Sequence, residues 1–206
     1  MRIAIVGGTG TFGRALAQRW LREDHEIVIG SRDRERAERQ AAVIGAAGGT
    51  NAEAVQGADL VVLAVQSGAA VETARQLERE IGSTPVLCVA SDLLVTRDGV
   101  YPGRNEGSIA EDIAAIVDGP VVSGFQALPA AQLALPKLLD EDVLVCGDHA
   151  ETKALVLELG QALVSGRGVD AGPLANARAL EGMTAVIVHV NRTYKIVAGL
   201  RLTGFE

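Results

Sequence analysis

The sequence predicts an α/β fold of Rossmann type: a doubly wound, mainly parallel sheet with a small C-terminal helical or αβ extension. Three observations predict it. Short apolar runs alternate with stretches of helical periodicity, as the crossover units of a parallel sheet require. The runs are apolar at consecutive positions, which marks strands covered by helices on both faces. The first run, residues 3–6, passes directly into glycines, so a tight strand-to-helix turn follows the first strand. Residues 1–150 are assigned to the main domain and residues 151–206 to the extension.

In chain order, residues 3–6 read as a buried strand. Leu16, Trp20 and Leu21 then recur at helical spacing to about residue 23. Residues 26–29 form a second strand closed by Gly30, and residues 33–45, charged and alanine-rich, an exposed helix. Residues 59–65 are the most continuous buried strand, followed by a helix over 71–81 and a strand over 85–90. Ser108 and Glu111 have capping-box spacing and open a helix to about residue 117. Residues 121–125 and 143–146 are further strands, and 151–164 a helix. Residues 184–190 are β-branched enough for a strand, yet Leu180, Met183, Ile187 and Val190 make a helical stripe. The stripe favours a long C-terminal helix.

Composition narrows the function classes. The 206 residues are 48% hydrophobic, enough for a full core. A net charge of -7 gives the protein no basic footprint for nucleic acid. Cys88 and Cys146 each lie inside an apolar run, as free thiols of a reducing compartment do. No CxxC or Cys/His spacing suggests a metal. No apolar run is long enough for a membrane span, and the first residues lack signal-peptide architecture. A cytoplasmic protein acting on small molecules is expected.

Gly8, Gly10 and Gly13 in Gly7-Gly8-Thr9-Gly10-Thr11-Phe12-Gly13 fit G-x-G-x-x-G. Gly8 permits the tight turn, Gly10 the approach of a pyrophosphate, and Gly13 close packing of helix on strand. The helix N-terminus supplies unpaired N–H groups and the positive end of its dipole. The pattern is weak alone, and a glycine-rich turn without a ligand is the competing reading. Here it follows a strand and opens a helix, the required context for dinucleotide binding.

The end of the second strand selects the dinucleotide. A cofactor without a 2′-phosphate meets an acid there. This chain has Gly30-Ser31-Arg32 instead. Ser31 offers a hydroxyl, Arg32 charge-assisted bonds to a phosphate, and Arg36 lies one turn further on. NADP is therefore preferred to NAD. Arg34 reads as solvated, and Arg36 fits equally a solvated helix face with Asp33, Glu35 and Glu38.

These residues, with His25-Glu26-Ile27-Val28, Val121-Val122-Ser123, Pro129-Ala130-Ala131, Val145-Cys146-Gly147-Asp148 and Asp170-Ala171-Gly172-Pro173-Leu174, resemble the NADPH:coenzyme F420 oxidoreductases, or F420-dependent NADP reductases. The likeness runs over most of the chain, and the segment from Asp170 is its most specific piece. It implies hydride transfer between NADP(H) and the deazaflavin F420. By position, Thr9, Gly10, Thr11 and Phe12 hold the pyrophosphate. Ser31, Arg32 and Arg36 hold the 2′-phosphate, the last standing where the family often has Lys. Val65 and Ala130 line the nicotinamide side, and the end of the chain near Ala198 and Gly199 closes over the deazaflavin. Three segments depart from the family: Gln126 stands for a His, Gln66-Ser67-Gly68 replaces a bulkier Pro-Trp type of segment, and residues 92–107 differ. All three are expected at the substrate pocket.

Hydride transfer to a deazaflavin asks for ring stacking and exclusion of water rather than an acid–base dyad. No certain catalytic residue is expected; Gln126 or backbone N–H groups are candidate donors to the ring edge. His25, His149 and His189 read as structural, and Asp170 as a turn residue. Two alternatives stay open: an NADPH-dependent reductase of another acceptor (a flavin, an imine or a metal chelate), and a non-catalytic NADPH sensor. The apolar C-terminal helix leads to the expectation of a homodimer.

Overall fold

The computed structural model describes residues 1–205. The chain opens with β1 (Arg2–Val6), α1 (Thr11–Leu21), β2 (Glu26–Ser31), α2 (Arg34–Ile44), β3 (Ala47–Thr50) and α3 (Asn51–Val55). It continues through β4 (Leu60–Leu63), α4 (Ser67–Gln76), α5 (Glu78–Ile81), β5 (Val86–Cys88), β6 (Leu93–Val95), β7 (Val100–Pro102) and α6 (Ile109–Ala114). The last part holds β8 (Val121–Gly124), α7 (Ala130–Leu133), β9 (Val143–Gly147), α8 (Ala150–Gln161), β10 (Gly168–Asp170), a 3-10 turn (Leu174–Asn176) and α9 (Ala177–Tyr194).

Eight strands form one sheet in the order β10-β9-β8-β5-β4-β1-β2-β3. Neighbours are parallel except β8 and β9. From β1 the chain winds outward to β2 and β3, then crosses back to β4 on the other side of β1. That reversal is the switch point at which such sheets open a crevice beyond the strand ends. The two-residue period of β1 feeds two cores. Ile3 and Ile5 join Leu16, Trp20 and Ile29 on one face, while Ala4 and Val6 join Val61, Leu63 and Ile113 on the other. Each large aliphatic side chain so buried contributes about 1.5–3 kcal/mol.

The doubly wound, mainly parallel sheet matches expectation, and the ambiguous last stretch is the helix α9. Several elements differ. β3, Ala-Gly-Gly-Thr, carries no apolar run and is a strand because β2 and α2 hold it. β6 and β7 form an antiparallel hairpin, apart from the main sheet, around a turn closed by Thr96 and Gly99. The helix expected over 71–81 begins at Ser67 and is broken at Leu77 into α4 and α5. The helix opened by Ser108 ends at Ala114. Its capping box is half formed: Ser108 Oγ accepts the Glu111 N–H at 3.1 Å, and the Glu111 carboxylate takes the Ser108 hydroxyl instead of the backbone. Beyond residue 150 the chain still builds the sheet through β10. The segment after α9 then returns to it, with the Asp142 N–H donating to Leu200 O at 2.7 Å. No helix among the described residues is long and apolar enough to cross a membrane.

Candidate functional site

β1 leads into Gly7, whose φ is 78°, a left-handed conformation that side chains resist. A Cβ there would lie 2.6 Å from Val65 Cγ1 and 2.9 Å from Ala64 O. The left-handed residue of the tight turn is thus Gly7, and Gly8 closes the turn. Gly8 donates its N–H to Ile5 O (3.0 Å) and Gly30 O (3.2 Å), tying the loop to β2. Gly13 meets its expectation: a Cβ would stand 2.9 Å from Gly8 Cα, so a larger residue would push α1 off the sheet. Gly10 is the N-cap of α1 and brings no side-chain oxygen to the first turn. By contrast α2, α3, α6 and α8 are capped by Asp33, Thr50, Ser108 and His149. The open N–H groups of Thr11, Phe12 and Gly13, at the positive end of an eleven-residue helix, suit an anion.

At the end of β2, Ser31 Oγ accepts the Asp33 N–H at 3.2 Å, which leaves its own proton for a ligand. The Asp33 carboxylate is turned to α2, where it accepts the Arg36 N–H at 3.0 Å. Arg34 is paired with Glu53 and, at 3.6 Å, with Glu38. Arg32 and Arg36 are exposed, and no carboxylate among the described residues forms an ion pair with either. The arginines therefore divide into one committed to glutamates and two available to a phosphate.

The ends of β4, β5 and β8 continue the site as an open cleft of about 240 Å³, lined by Phe12, Val65, Ser67, Ser91, Gln126 and Leu128 among others. Val65 lines this cleft and stands against the glycine loop. Ala130 opens α7 and is half-buried; Leu128, two residues earlier, is the one lining the cleft. Gln126 is delivered by Phe125, a non-glycine residue at φ 73°. Such a conformation costs about 1–3 kcal/mol, and burial of the Phe125 ring against Trp20, 6.4 Å between centroids, offsets it. Gln126 Nε2 donates to Ser123 Oγ (2.6 Å) and Cys88 O (3.4 Å). Both amide hydrogens thus turn into the protein and not towards a ring edge. Of the three departing segments, Gln66-Ser67 and Gln126 reach the cleft. Residues 92–107 form the hairpin packed on α9 and supply none of the cleft-lining residues.

Gln126 and Leu128 also border a small apolar crevice with Phe125, Leu144, Met183 and Leu200. The segment after α9 is held there. Ala198 donates its N–H to Asn191 Oδ1 at 2.6 Å, and Asp142 Oδ2 accepts the Leu202 N–H at 2.8 Å. Burial alone would raise the Asp142 carboxyl, but the Leu202 and Arg167 N–H groups and the Arg167 guanidinium outweigh it and hold it low. The neighbouring Glu141 has no such support. Its Oε2 is buried without a partner, and a Cβ on Gly199 would overlap its carboxylate. Burial, with Asp140 adding repulsion, pushes it up to about 7. Glu181 of α9 is also pushed up to about 7 by burial, although it accepts the N–H groups of Ile109 and Ala110. His149 caps α8, and Asp170 accepts the Gly172 N–H at 2.8 Å and pairs with Lys153, so both serve structure as expected.

Comparison with known proteins places this geometry. A family model described as NADP oxidoreductase, coenzyme F420-dependent, matches residues 2–90, which hold the glycine loop, Ser31 to Arg36, and Val65. An F420-dependent NADP reductase of Methanocaldococcus jannaschii is 33% identical over 227 aligned positions, covering 100% of both chains. The chain belongs to the F420-dependent NADP reductase family. Another F420-dependent NADP reductase, from Methanothermobacter thermautotrophicus, is 31% identical over 98% of this chain and 95% of its own. A crystal structure from Arthrobacter sp. FB24, provisionally assigned as an F420-dependent NADP-reductase, shares the fold with a TM-score of 0.88 and 22% identity over 99% of this chain and 100% of that one. Cleft-lining residues not singled out from the sequence include Ser91 and Leu128; Thr184 stands behind Ser91, 2.9 Å between hydroxyl oxygens. Each sits outside any motif; only the strand-end position of Ser91 could have signalled it.

Proposed function

We propose that this chain is an NADP-dependent oxidoreductase that transfers hydride between NADP(H) and coenzyme F420. The observation that carries the reading is the division of the arginines at the end of β2, set beside an uncapped glycine loop in a chain of this family. Thr9, Gly10, Thr11 and Phe12 hold the pyrophosphate, with Gly8 and Gly13 shaping the loop. Ser31, Arg32 and Arg36 hold the 2′-phosphate. Val65, with Leu128 and Ala130 across from it, packs the nicotinamide, and the segment around Ala198 closes the deazaflavin side. Bound together, the dihydronicotinamide would supply a hydride with its electron pair, and the deazaflavin would take it up at a ring carbon together with a proton from solvent. The chain's part is to stack the rings and keep water out. No acid–base dyad is called for.

The test is to mix the protein with NADPH and F420 and follow deazaflavin absorbance. Turnover with F420 supports the reading; turnover only with a free flavin, an imine or a metal chelate replaces it with the second reading. One observation favours that second reading: α4 begins with Ser67-Gly68, so the first turn of this helix adds no bulky side chain at the cleft. Tight NADPH binding with no turnover on any acceptor would make the protein a sensor.

A homodimer belongs to the same proposal. Val186, Tyr194, Ile196 and Val197 on and after α9, with Leu94, Val95 and Tyr101 on the hairpin packed on it, are exposed, and apolar area of this kind marks an interface. Light scattering should give twice the chain mass, and Val186→Glu should shift it towards one. The buried thiols Cys88 and Cys146 support a reducing, cytoplasmic location.

A further inference from the structure

We propose that on the side of the cleft formed by β5 and β8 the polar side chains, Ser91 and Gln126, present hydrogen-bond acceptors, Ser91 Oγ and Gln126 Oε1, and so select the ligand ring by an amide or imide N–H. The inference rests on the NADP–F420 reading and names what that site reads.

Two backbone carbonyls, which can only accept, orient the side-chain protons of Gln126, Thr184 and Ser91. Cys88 O lies 3.4 Å from one end of the Gln126 amide. An amide oxygen there would face another acceptor, so Nε2 occupies that position and gives its second hydrogen to Ser123 Oγ at 2.6 Å. The main-chain oxygen of Gln126 lies 3.2 Å from Thr184 Oγ1, so Thr184 of α9 spends its single proton on it. Ser91 Oγ is 2.9 Å from the same Thr184 oxygen. With the Thr184 proton on the Gln126 carbonyl, Ser91 is the donor of this pair. The chain of bonds runs one way, from Ser91 through Thr184 to the Gln126 carbonyl. The left-handed Phe125 holds that carbonyl in place. Lone pairs are all that Ser91 Oγ and Gln126 Oε1 retain for a ligand.

A ring edge made of carbonyls meets repulsion here, whereas one with an N–H is satisfied. Two bound rings carry such a donor: the nicotinamide carboxamide and the pyrimidinedione of the deazaflavin. Thr184 does not line the cleft. It is a positioning residue that sets the polarity of the wall.

Calorimetric titration with NADP⁺ and with its 3-acetylpyridine analogue, whose ketone has no N–H, separates the two sources. If the carboxamide is read, the unsubstituted protein binds the analogue at least about 10-fold more weakly, since a site built for an N–H rejects a ligand without one. In Thr184→Val the Ser91 proton is freed to face the ketone, the preference falls below about 3-fold, and Thr184→Ser restores it. If the deazaflavin N–H is read, all three proteins bind the two nucleotides alike, while Thr184→Val raises KM for F420 by roughly 5-fold or more at nearly constant kcat, again rescued by Thr184→Ser. Equal nucleotide affinities with an unchanged F420 KM overturn the proposal, as does any loss that Thr184→Ser fails to rescue. Should the protein reduce no F420, the proposed reaction fails, and the nucleotide titration alone decides the wall: equal affinities overturn it.

Discussion

In Arg32→Ala the 2′-phosphate loses the cation next to the end of β2, while the pyrophosphate loop is left intact. A charge-assisted hydrogen bond to a phosphate is worth about 1.5–3 kcal/mol. Arg32 is exposed and free of carboxylate partners among the described residues, so solvent and salt place it at the lower end. A loss of about 1.5–2 kcal/mol weakens NADPH roughly 10- to 30-fold. Arg36→Ala, one helical turn further from the strand end, should cost about 1 kcal/mol, or roughly 5-fold. Arg34→Ala should change affinity by less than about 2-fold, because its guanidinium is held by Glu53 and Glu38. NADH, which lacks the 2′-phosphate, should bind all four proteins alike. The assay is titration followed by NADPH fluorescence, repeated at about 0.5 M salt, where the wild-type preference for NADPH should shrink. Equal losses of NADPH and NADH in Arg32→Ala, or a larger NADPH loss in Arg34→Ala, would refute the assignment.

Three further outcomes follow from named contacts. Glu141 is held near 7 against an ordinary 4.5, so the folded state binds its proton more tightly than the unfolded state; stability is greatest below about 4.5 and is lost as pH rises through 7. Glu141→Gln should therefore melt higher at pH ~8, by up to about 3 kcal/mol, and show little change at pH ~4; a gain at acid pH would contradict the burial of that carboxyl. Gly7→Ala places a Cβ against Val65 and Ala64 at φ 78° and should cost about 2–4 kcal/mol with a loss of NADPH binding; thermal melting reads it, and an unchanged midpoint would count against the tight turn. Arg19, buried in α1, donates to the carbonyls of Leu133, Leu135, Pro136 and Lys137. Arg19→Leu should destabilise by about 2–4 kcal/mol and speed amide exchange in residues 129–137, and unchanged exchange there would mean that the guanidinium does not hold the segment.

The parts of this molecule legible in the sequence are those whose physics is local. A run such as residues 60–63 has no alternative to a buried parallel strand, and a glycine loop between strand and helix announces an anion site. The helical stripe of Leu180, Met183 and Ile187 outweighed the β-branched residues around it because α9 packs on the β7 side of the hairpin and on α6. Where tertiary contacts decide, the signal fades. β3 is a strand through its neighbours, since Ala-Gly-Gly-Thr has no preference to show. The hairpin of β6 and β7 is set by its turn and by α9. At the end of β2, a fixed address, Ser31, Arg32 and Arg36 could be named as candidates, and the split between Arg34 and its neighbours became visible only with Glu53 in place. Gln126 was a candidate, but its amide orientation depends on Cys88, 38 residues away, and on Ser123. Those partners turn an expected donor into an acceptor.

Direct hydride transfer between the two cofactors is tested most directly with NADPH carrying deuterium in turn at each of the two C4 positions. In single turnovers with F420, one of the two labels should pass to the reduced deazaflavin in full, without dilution by solvent hydrogen, and leave the NADP⁺ unlabelled. Deuterium lost to water from both labelled forms, or oxidation of NADPH with no label in the deazaflavin, would contradict a site that stacks the two rings and excludes solvent.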